Sequence, residues 1–190
     1  ITGCSSGIGL AWAREMKAHG WRVFATARKP GDIRRLKDEE GVESLYLDYA
    51  EPGSIGEAAE QALAVTDGRL DALFNNGAYG QPGAVEDLKP DVLRAQFEAN
   101  VFGWHDLTAR LIPAMRAQGH GRIVFCSSVL GLVSAPYRGA YCASKFAVEA
   151  LADALRIELA GTGIHVVLIE PGPIRSRFLE TAFEAYRRHI

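Results

Sequence analysis

A tyrosine and a lysine four residues apart, Tyr141 and Lys145, fall near the start of an apolar-periodic stretch over residues 140–160. On a helix this spacing puts both side chains on one face, about 6 Å apart in rise. A phenol with an ordinary pKa of about 10 trades protons poorly at neutral pH. A neighbouring ammonium favours the phenolate, so the pair is expected to lower the tyrosine's pKa and make it an acid/base. Ser128 lies just past an apolar run at 121–127, where its hydroxyl could orient an oxygen toward Tyr141. Asn100 falls inside a helical pattern over 90–118, a place where asparagine is a mediocre helix former. It reads either as a solvent-facing polar residue or as a break in helix hydrogen bonding that anchors a water. A tyrosine and lysine at this spacing arise by chance in many chains, so their weight depends on what accompanies them.

What accompanies them is a glycine loop, Thr2-Gly3-Cys4-Ser5-Ser6-Gly7-Ile8-Gly9. At a strand-to-helix junction such glycines permit a tight turn, close approach of a pyrophosphate and close helix packing. The exposed N–H groups and the helix dipole then favour an anion, with Ser5 and Ser6 adding hydroxyls. The second strand runs into Arg28 and Lys29, and no acid appears until Asp32. A dinucleotide with free ribose hydroxyls usually meets a carboxylate at this point, whereas a 2′-phosphate meets a base. The reading is therefore NADP(H) in preference to NAD(H). Asp48, at the end of the third strand, is placed to accept from the adenine amine. Asn75 and Asn76, ending the fourth, could line the adenosine side or brace the sheet.

These residues must be carried by a scaffold, and the sequence describes one. Short runs rich in Val, Ile, Leu and Phe at 21–27, 42–48, 70–75, 121–127 and 163–170 predict strands covered on both faces. Helical patterns at 7–19, 31–39, 53–66, 90–118 and 140–160 alternate with them. The alternation predicts a doubly wound α/β fold with a parallel sheet, a single Rossmann-like domain over 1–190. Residue 1 is Ile rather than Met, and Ile1 and Thr2 read as the end of a first strand whose body is absent. The stretch 172–190 is helical in character with no strand after it, so a C-terminal strand is expected to be missing as well.

Composition narrows the classes. With 48% hydrophobic and 23% charged residues and a net charge of −2, the chain offers no general attraction to nucleic acid or an anionic membrane. No apolar run approaches the roughly 20 residues that span a bilayer. Cys4, Cys126 and Cys142 are an odd number without metal-type spacing, and read as buried thiols of a reducing, cytoplasmic compartment. The five histidines show no metal-binding pattern, so no metal is expected.

Taken together, the TGxxxGxG loop and YxxxK resemble the short-chain dehydrogenase/reductase family over essentially the whole chain. The segment Tyr141-Cys142-Ala143-Ser144-Lys145-Phe146-Ala147 is similar to hydroxysteroid and retinol dehydrogenase members. The resemblance implies a cofactor loop of Gly3, Gly7 and Gly9 and a catalytic set of Asn100, Ser128, Tyr141 and Lys145. It also implies nicotinamide-side contacts from Pro171, Gly172, Ile174 and Ser176, with Lys145 holding ribose hydroxyls. The implied reaction is hydride transfer between nicotinamide and an alcohol or carbonyl, and the implied assembly is a homodimer or homotetramer through helices. One departure is visible: the family's Asn-Asn-Ala-Gly reads Asn75-Asn76-Gly77-Ala78, which on sequence removes no side-chain function. Two rivals are an NADP(H)-sensing regulator without turnover and an epimerase or dehydratase using the same Tyr–Lys pair. The first would be favoured by loss of Tyr141 or Lys145, and the second by TGxxGxxG spacing; neither feature is found.

Segments 78–84, 129–138 and 173–190 are expected to meet the substrate. They offer Tyr79, Leu130, Leu132, Val133, Tyr137, Phe178, Leu179, Phe183 and Tyr186, and the first two segments carry one charge, Arg138. A mostly apolar site suits a hydrophobic alcohol or carbonyl. Leu179, Phe183 and Tyr186, at helical spacing, would also serve as ordinary packing of a helical lid.

Overall fold

The computed structural model describes residues 1–190. In chain order the elements begin with α1 (Gly7–Ala18), β1 (Phe24–Ala27), α2 (Pro30–Asp38), β2 (Glu43–Tyr46), α3 (Pro52–Ala64) and β3 (Ala72–Asn75). They continue with α4 (Pro90–Phe97), α5 (Gly103–Gln118), β4 (Gly121–Cys126), α6 (Gly139–Glu158), β5 (Ile164–Ile169) and α7 (Phe178–His189). All strand pairs are parallel: β1 pairs with β2, and β4 lies between β3 and β5.

Residues 1–4 join the two groups. The Thr26 N–H donates to the Ile1 carbonyl at 2.9 Å and the Cys4 N–H to the Thr26 carbonyl at 2.8 Å. On the other side the Thr2 N–H donates to the Phe74 carbonyl at 3.0 Å. The spatial order is therefore β2, β1, the opening segment, β3, β4, β5, which is the doubly wound order with the opening segment as its first strand. That order leaves a crevice at the carboxyl ends of the opening segment and β3, on opposite sides of which the chain winds.

The strands are apolar because both faces are covered. In β4, Ile123, Val124, Phe125 and Cys126 are all buried. A 21-residue cluster joins β3, β4 and β5 to α3, α5 and α6, with Trp104, Leu111, Met115 and Ala152 among its members. A second cluster of 7 residues joins Cys4 and β1 to α1 and α2 through Ala13, Ala25 and Leu36. The helical stretch 90–118 is not one helix. A π-helical turn, Glu98–Phe102, separates α4 from α5 and contains Asn100. No helix is long and apolar enough to cross a membrane.

Candidate active site

A cleft of about 540 Å³ opens at the carboxyl ends of the strands. One end is made by the glycine loop. Gly3 has φ +67°, and a Cβ there would lie 2.5 Å from the Gly77 Cα, so only glycine lets the two backbones meet. Gly9 does not line the cleft. A Cβ on it would stand 2.5 Å from the Gly3 carbonyl oxygen, so its role is close packing of α1 beneath the loop. The glycine at position 77, where the family pattern has alanine, is not idle: a Cβ there would sit 3.2–3.3 Å from Gly3 backbone atoms.

The loop is held from outside as well. Asn76 Nδ2 donates to the Thr2 carbonyl at 2.9 Å, and Thr2 Oγ1 accepts from the backbone N–H of Asn76 at 2.8 Å and of Gly77 at 3.0 Å. Arg35, from α2, donates to the Ser5 carbonyl at 2.6 Å. Ser5, Ser6, Gly7 and Ile8 line the cleft where α1 begins. Ser6, at the N-cap, makes no side-chain capping bond, and the first turn carries no acid. These uncapped N–H groups, backed by the helix dipole and two hydroxyls, fit a pyrophosphate.

Arg28 and Asp48 line the same end, with Arg28 Nη1 3.8 Å from Asp48 Oδ2. Lys29 does not line the cleft; it is exposed at the N-cap of α2. Asn75 does not reach it either. It is fully buried, and Nδ2 donates to Thr108 Oγ1 at 2.9 Å, which is the sheet-bracing alternative. Pro171, Gly172, Ile174 and Ser176 line the cleft opposite the loop, Ser176 near enough that a Cβ on Gly7 would lie 3.2 Å from its own Cβ.

Three of the four catalytic candidates converge on the middle, and the fourth, Asn100, does not line the cleft. Ser128 and Tyr141 line the cleft and are 8% exposed, and Lys145 lines its floor at 1%. Ser128 Oγ accepts from the Leu130 N–H at 3.1 Å, which fixes the turn after β4. Lys145 Nζ donates to the Cys126 carbonyl at 2.7 Å and lies 4.3 Å from the Trp104 ring centroid. Trp104 is itself pinned, its Nε1 donating to the Gly77 carbonyl at 2.8 Å. Burial lowers the lysine's pKa from 10.5 to about 8, with Cys126 and Glu149 opposing the shift.

The tyrosine departs from the expectation of a lowered pKa. Burial pushes its phenol up to about 12. Hydrogen bonding with the Ser128 hydroxyl and the Arg138 charge pull the other way. Lys145 is turned onto Cys126, with its ammonium 5.6 Å from the Tyr141 ring centroid, so desolvation prevails over the cation.

Asn100 is fully buried, which removes the solvent-facing reading. Its Oδ1 accepts from the Tyr79 N–H at 3.2 Å, and Nδ2 donates to the Tyr79 carbonyl at 2.9 Å and to Ser144 Oγ at 3.1 Å. Ser144 Oγ in turn donates to the Tyr141 carbonyl at 2.8 Å. Asn100 thus ties the segment after β3 to the helix bearing Tyr141, and the π-helical turn provides the register for it.

At the far end Tyr79, Leu130, Phe178 and Leu179 line the cleft, whereas Leu132, Val133, Tyr137, Phe183 and Tyr186 are exposed outside it. Phe178, at the start of α7, meets Tyr141 edge-on with ring centroids 5.3 Å apart. Sequence reading did not single out Trp104, Arg35 or the pairing of Phe178 with Tyr141. Trp104, one helical turn past Asn100, carried the only signal available.

Fold and cleft together define a Rossmann-like scaffold whose cleft suits a dinucleotide. The family model for short chain dehydrogenases matches residues 1–187, and the chain belongs to that family. It is 51% identical over 180 residues to the oxidoreductase YbbO of Escherichia coli, covering 95% of this chain and 66% of that protein. It is 36% identical to human 17-beta-hydroxysteroid dehydrogenase type 1, covering 95% of this chain and 57% of that one. The chain therefore spans about three-fifths to two-thirds of the length of these relatives. A short-chain dehydrogenase from Streptomyces avermitilis superposes with a TM-score of 0.87 at 39% identity, over 92% of this chain and 65% of that one. An actinorhodin polyketide ketoreductase solved with NADPH gives 0.89 at 32% identity, over 97% and 73%.

Proposed function

We propose that the protein is an NADP(H)-dependent dehydrogenase/reductase that interconverts hydrophobic alcohols and carbonyl compounds, with Tyr141 as the acid/base. The observation that carries the reading is the convergence of Ser128, Tyr141 and Lys145 on one cleft whose other end is the uncapped start of α1. The cofactor, when bound, supplies or accepts the hydride. Ser5, Ser6, Gly7 and Ile8 would hold its pyrophosphate, Arg28 its 2′-phosphate, Asp48 its adenine, and Pro171, Gly172, Ile174 and Ser176 its nicotinamide half.

In the direction of reduction, the Ser128 hydroxyl holds the substrate oxygen, and the Tyr141 phenol donates its proton to that oxygen. A phenol held at about 12 is fully protonated at neutral pH, so it is ready as a donor. Lys145, positive below about 8, supports the phenolate that this donation leaves. Asn100 keeps the Tyr141 helix and the Tyr79 segment in register. The three buried free thiols suit a reducing compartment, here the cytoplasm. Exposed apolar residues at the π-helical turn before α5 and on α6, Phe102 and Leu151, suit a helix-mediated homodimer or homotetramer, which sedimentation at micromolar concentration would test.

Separate fluorescence titrations with NADPH and NADH test the cofactor reading. NADPH is expected to bind more tightly by roughly tenfold or more, the worth of a charge-assisted contact. Arg28→Ala should remove most of that difference, and tighter NADH binding would reject it. Tyr141→Phe should reduce turnover of apolar ketones by about a hundredfold or more, the scale of general acid catalysis, while leaving NADPH binding in place.

A further inference from the structure

The charged side chains lining the cleft are Arg28, Asp48, Arg138, Lys145 and Arg177. Four of these have evident occupations. Arg28 and Asp48 face each other, Lys145 is bonded to Cys126, and Arg177 lies 3.5 Å from Glu180 in solvent. Arg138 is different: it is half-buried, and its guanidinium has neither an ion-pair partner nor a hydrogen-bond acceptor. It lines the same cleft as Val129, Leu130, Phe178 and Leu179, close enough to Tyr141 to act on the phenol's charge.

The backbone that presents it is fixed at some cost. Tyr137, the preceding residue, has φ +59°, a left-handed conformation that a bulky residue adopts only where its surroundings impose it. The Tyr137 carbonyl accepts from the Gly83 N–H at 3.1 Å, and the Arg138 N–H donates to the Ala135 carbonyl at 3.2 Å. Arg138 then opens α6, three residues before Tyr141 and so on the same side of the helix start. A planar guanidinium in a half-desolvated, apolar setting matches a carboxylate, and the low dielectric strengthens the contact.

We propose that Arg138 is the recognition group for an anionic head on the substrate, so that the preferred substrates are apolar carbonyl compounds or alcohols bearing a carboxylate. This rests on the oxidoreductase reading above and assigns the substrate class within it. The full chain is assayed with NADPH and para-acetylbenzoate or its methyl ester, which differ in the charge and one methyl group, and the ratio of the two is compared between wild type and variant so that their intrinsic reactivities cancel. The carboxylate is expected to win in kcat/KM by roughly tenfold to a hundredfold, chiefly through KM. In Arg138→Gln the preference should fall to near one, and in Arg138→Lys part of it should return. Wild-type protein without the preference, or Arg138→Gln retaining it, overturns the proposal. A loss of NADPH affinity in Arg138→Gln with the preference intact also overturns it, because the partner is then the cofactor. Calorimetric binding of the same two compounds to the NADP⁺-saturated protein separates the two readings. If neither compound turns over, the redox reading fails, yet a carboxylate preference in Kd that Arg138→Gln abolishes still upholds the anion site, and its absence refutes it.

Discussion

At the glycine-loop end of the cleft, backbone meets backbone: Gly3 lies against Gly77, Gly9 against the Gly3 carbonyl, and Asn76 and Thr2 hold the two strand ends together. At the substrate end the contacts are made by side chains. Phe178 leans on Tyr141, while Leu179 and Phe183 on the same helix are 66% and 54% exposed. The first arrangement admits no extra atom and suits a ligand that never changes. The second can be altered one side chain at a time without disturbing the sheet, as a site for variable substrates requires.

The largest effect is expected where the backbone contacts are tightest. Gly3→Ala adds a Cβ in contact with Gly77 and forces a left-handed φ on a residue that resists it. It should cost about 3 kcal/mol or more by the scale of overpacking plus backbone strain. Urea denaturation measures the cost, and NADPH affinity should collapse with it. Gly9→Ala should come close behind. If either variant retains wild-type stability, the loop is more yielding than its contacts indicate and the two ends are not different in kind.

Between the ends lies Lys145, and its test is a pH series. A buried lysine with a pKa lowered from 10.5 to about 8 binds its proton less well folded than unfolded. Below about 8 both states are protonated, and the burial penalty is fully present. As pH rises from about 8 to 10.5 the unfolded chain holds the extra proton, so stability contributed by this group increases. The displacement corresponds to on the order of 3 kcal/mol. Tyr141 works in the opposite sense only above 10, where the unfolded phenol ionises and the folded one, at about 12, does not. Comparing wild type with Lys145→Met isolates the lysine: the stability gap should move in favour of wild type between neutral pH and about 10. A gap that stays constant over that range would mean that the ammonium is solvated through the cleft.

The same contrast explains what was legible in the sequence. Strands β3, β4 and β5 announce themselves as continuous apolar runs, and the glycine loop and Tyr141/Lys145 as local motifs, because each is specified by neighbours in the chain. The pattern over 90–118 leaves Asn100 either solvent-facing or at a break in helix hydrogen bonding, and the partner that decides between them, Tyr79, lies 21 residues away. Arg35 reaches Ser5 across 30 residues, and nothing in its own helix distinguishes it from Arg34. Asn75 and Asn76 look alike in sequence, and only strand geometry sends one to Thr108 in the core and the other to the loop. The expected lowering of the Tyr141 pKa failed for a related reason: spacing reveals the cation but not the burial of the phenol or the Cys126 carbonyl that draws the cation away.

Phe178→Ala should have the smallest effect on stability and the most selective one on function. The ring lies at the start of a half-exposed helix, so removing it should cost about 1–2 kcal/mol, an aromatic pair and modest burial rather than a full core side chain. KM for an apolar ketone should rise several-fold while NADPH affinity changes little, because the ring packs on Tyr141 and Gly80. The phenol gains water, and since burial is the main cause of its raised pKa, that pKa should fall from about 12 toward the ordinary value. Reduction uses the protonated phenol, so beyond the loss of rate that Lys145 sets at about 8 in both proteins, the second alkaline loss should begin at lower pH in the variant than in the wild type. A pH–rate profile with both cofactor and substrate varied reads all of this at once. Should NADPH affinity fall as KM rises, α7 closes over the whole cleft, and the division between a fixed cofactor end and an adjustable substrate end does not hold.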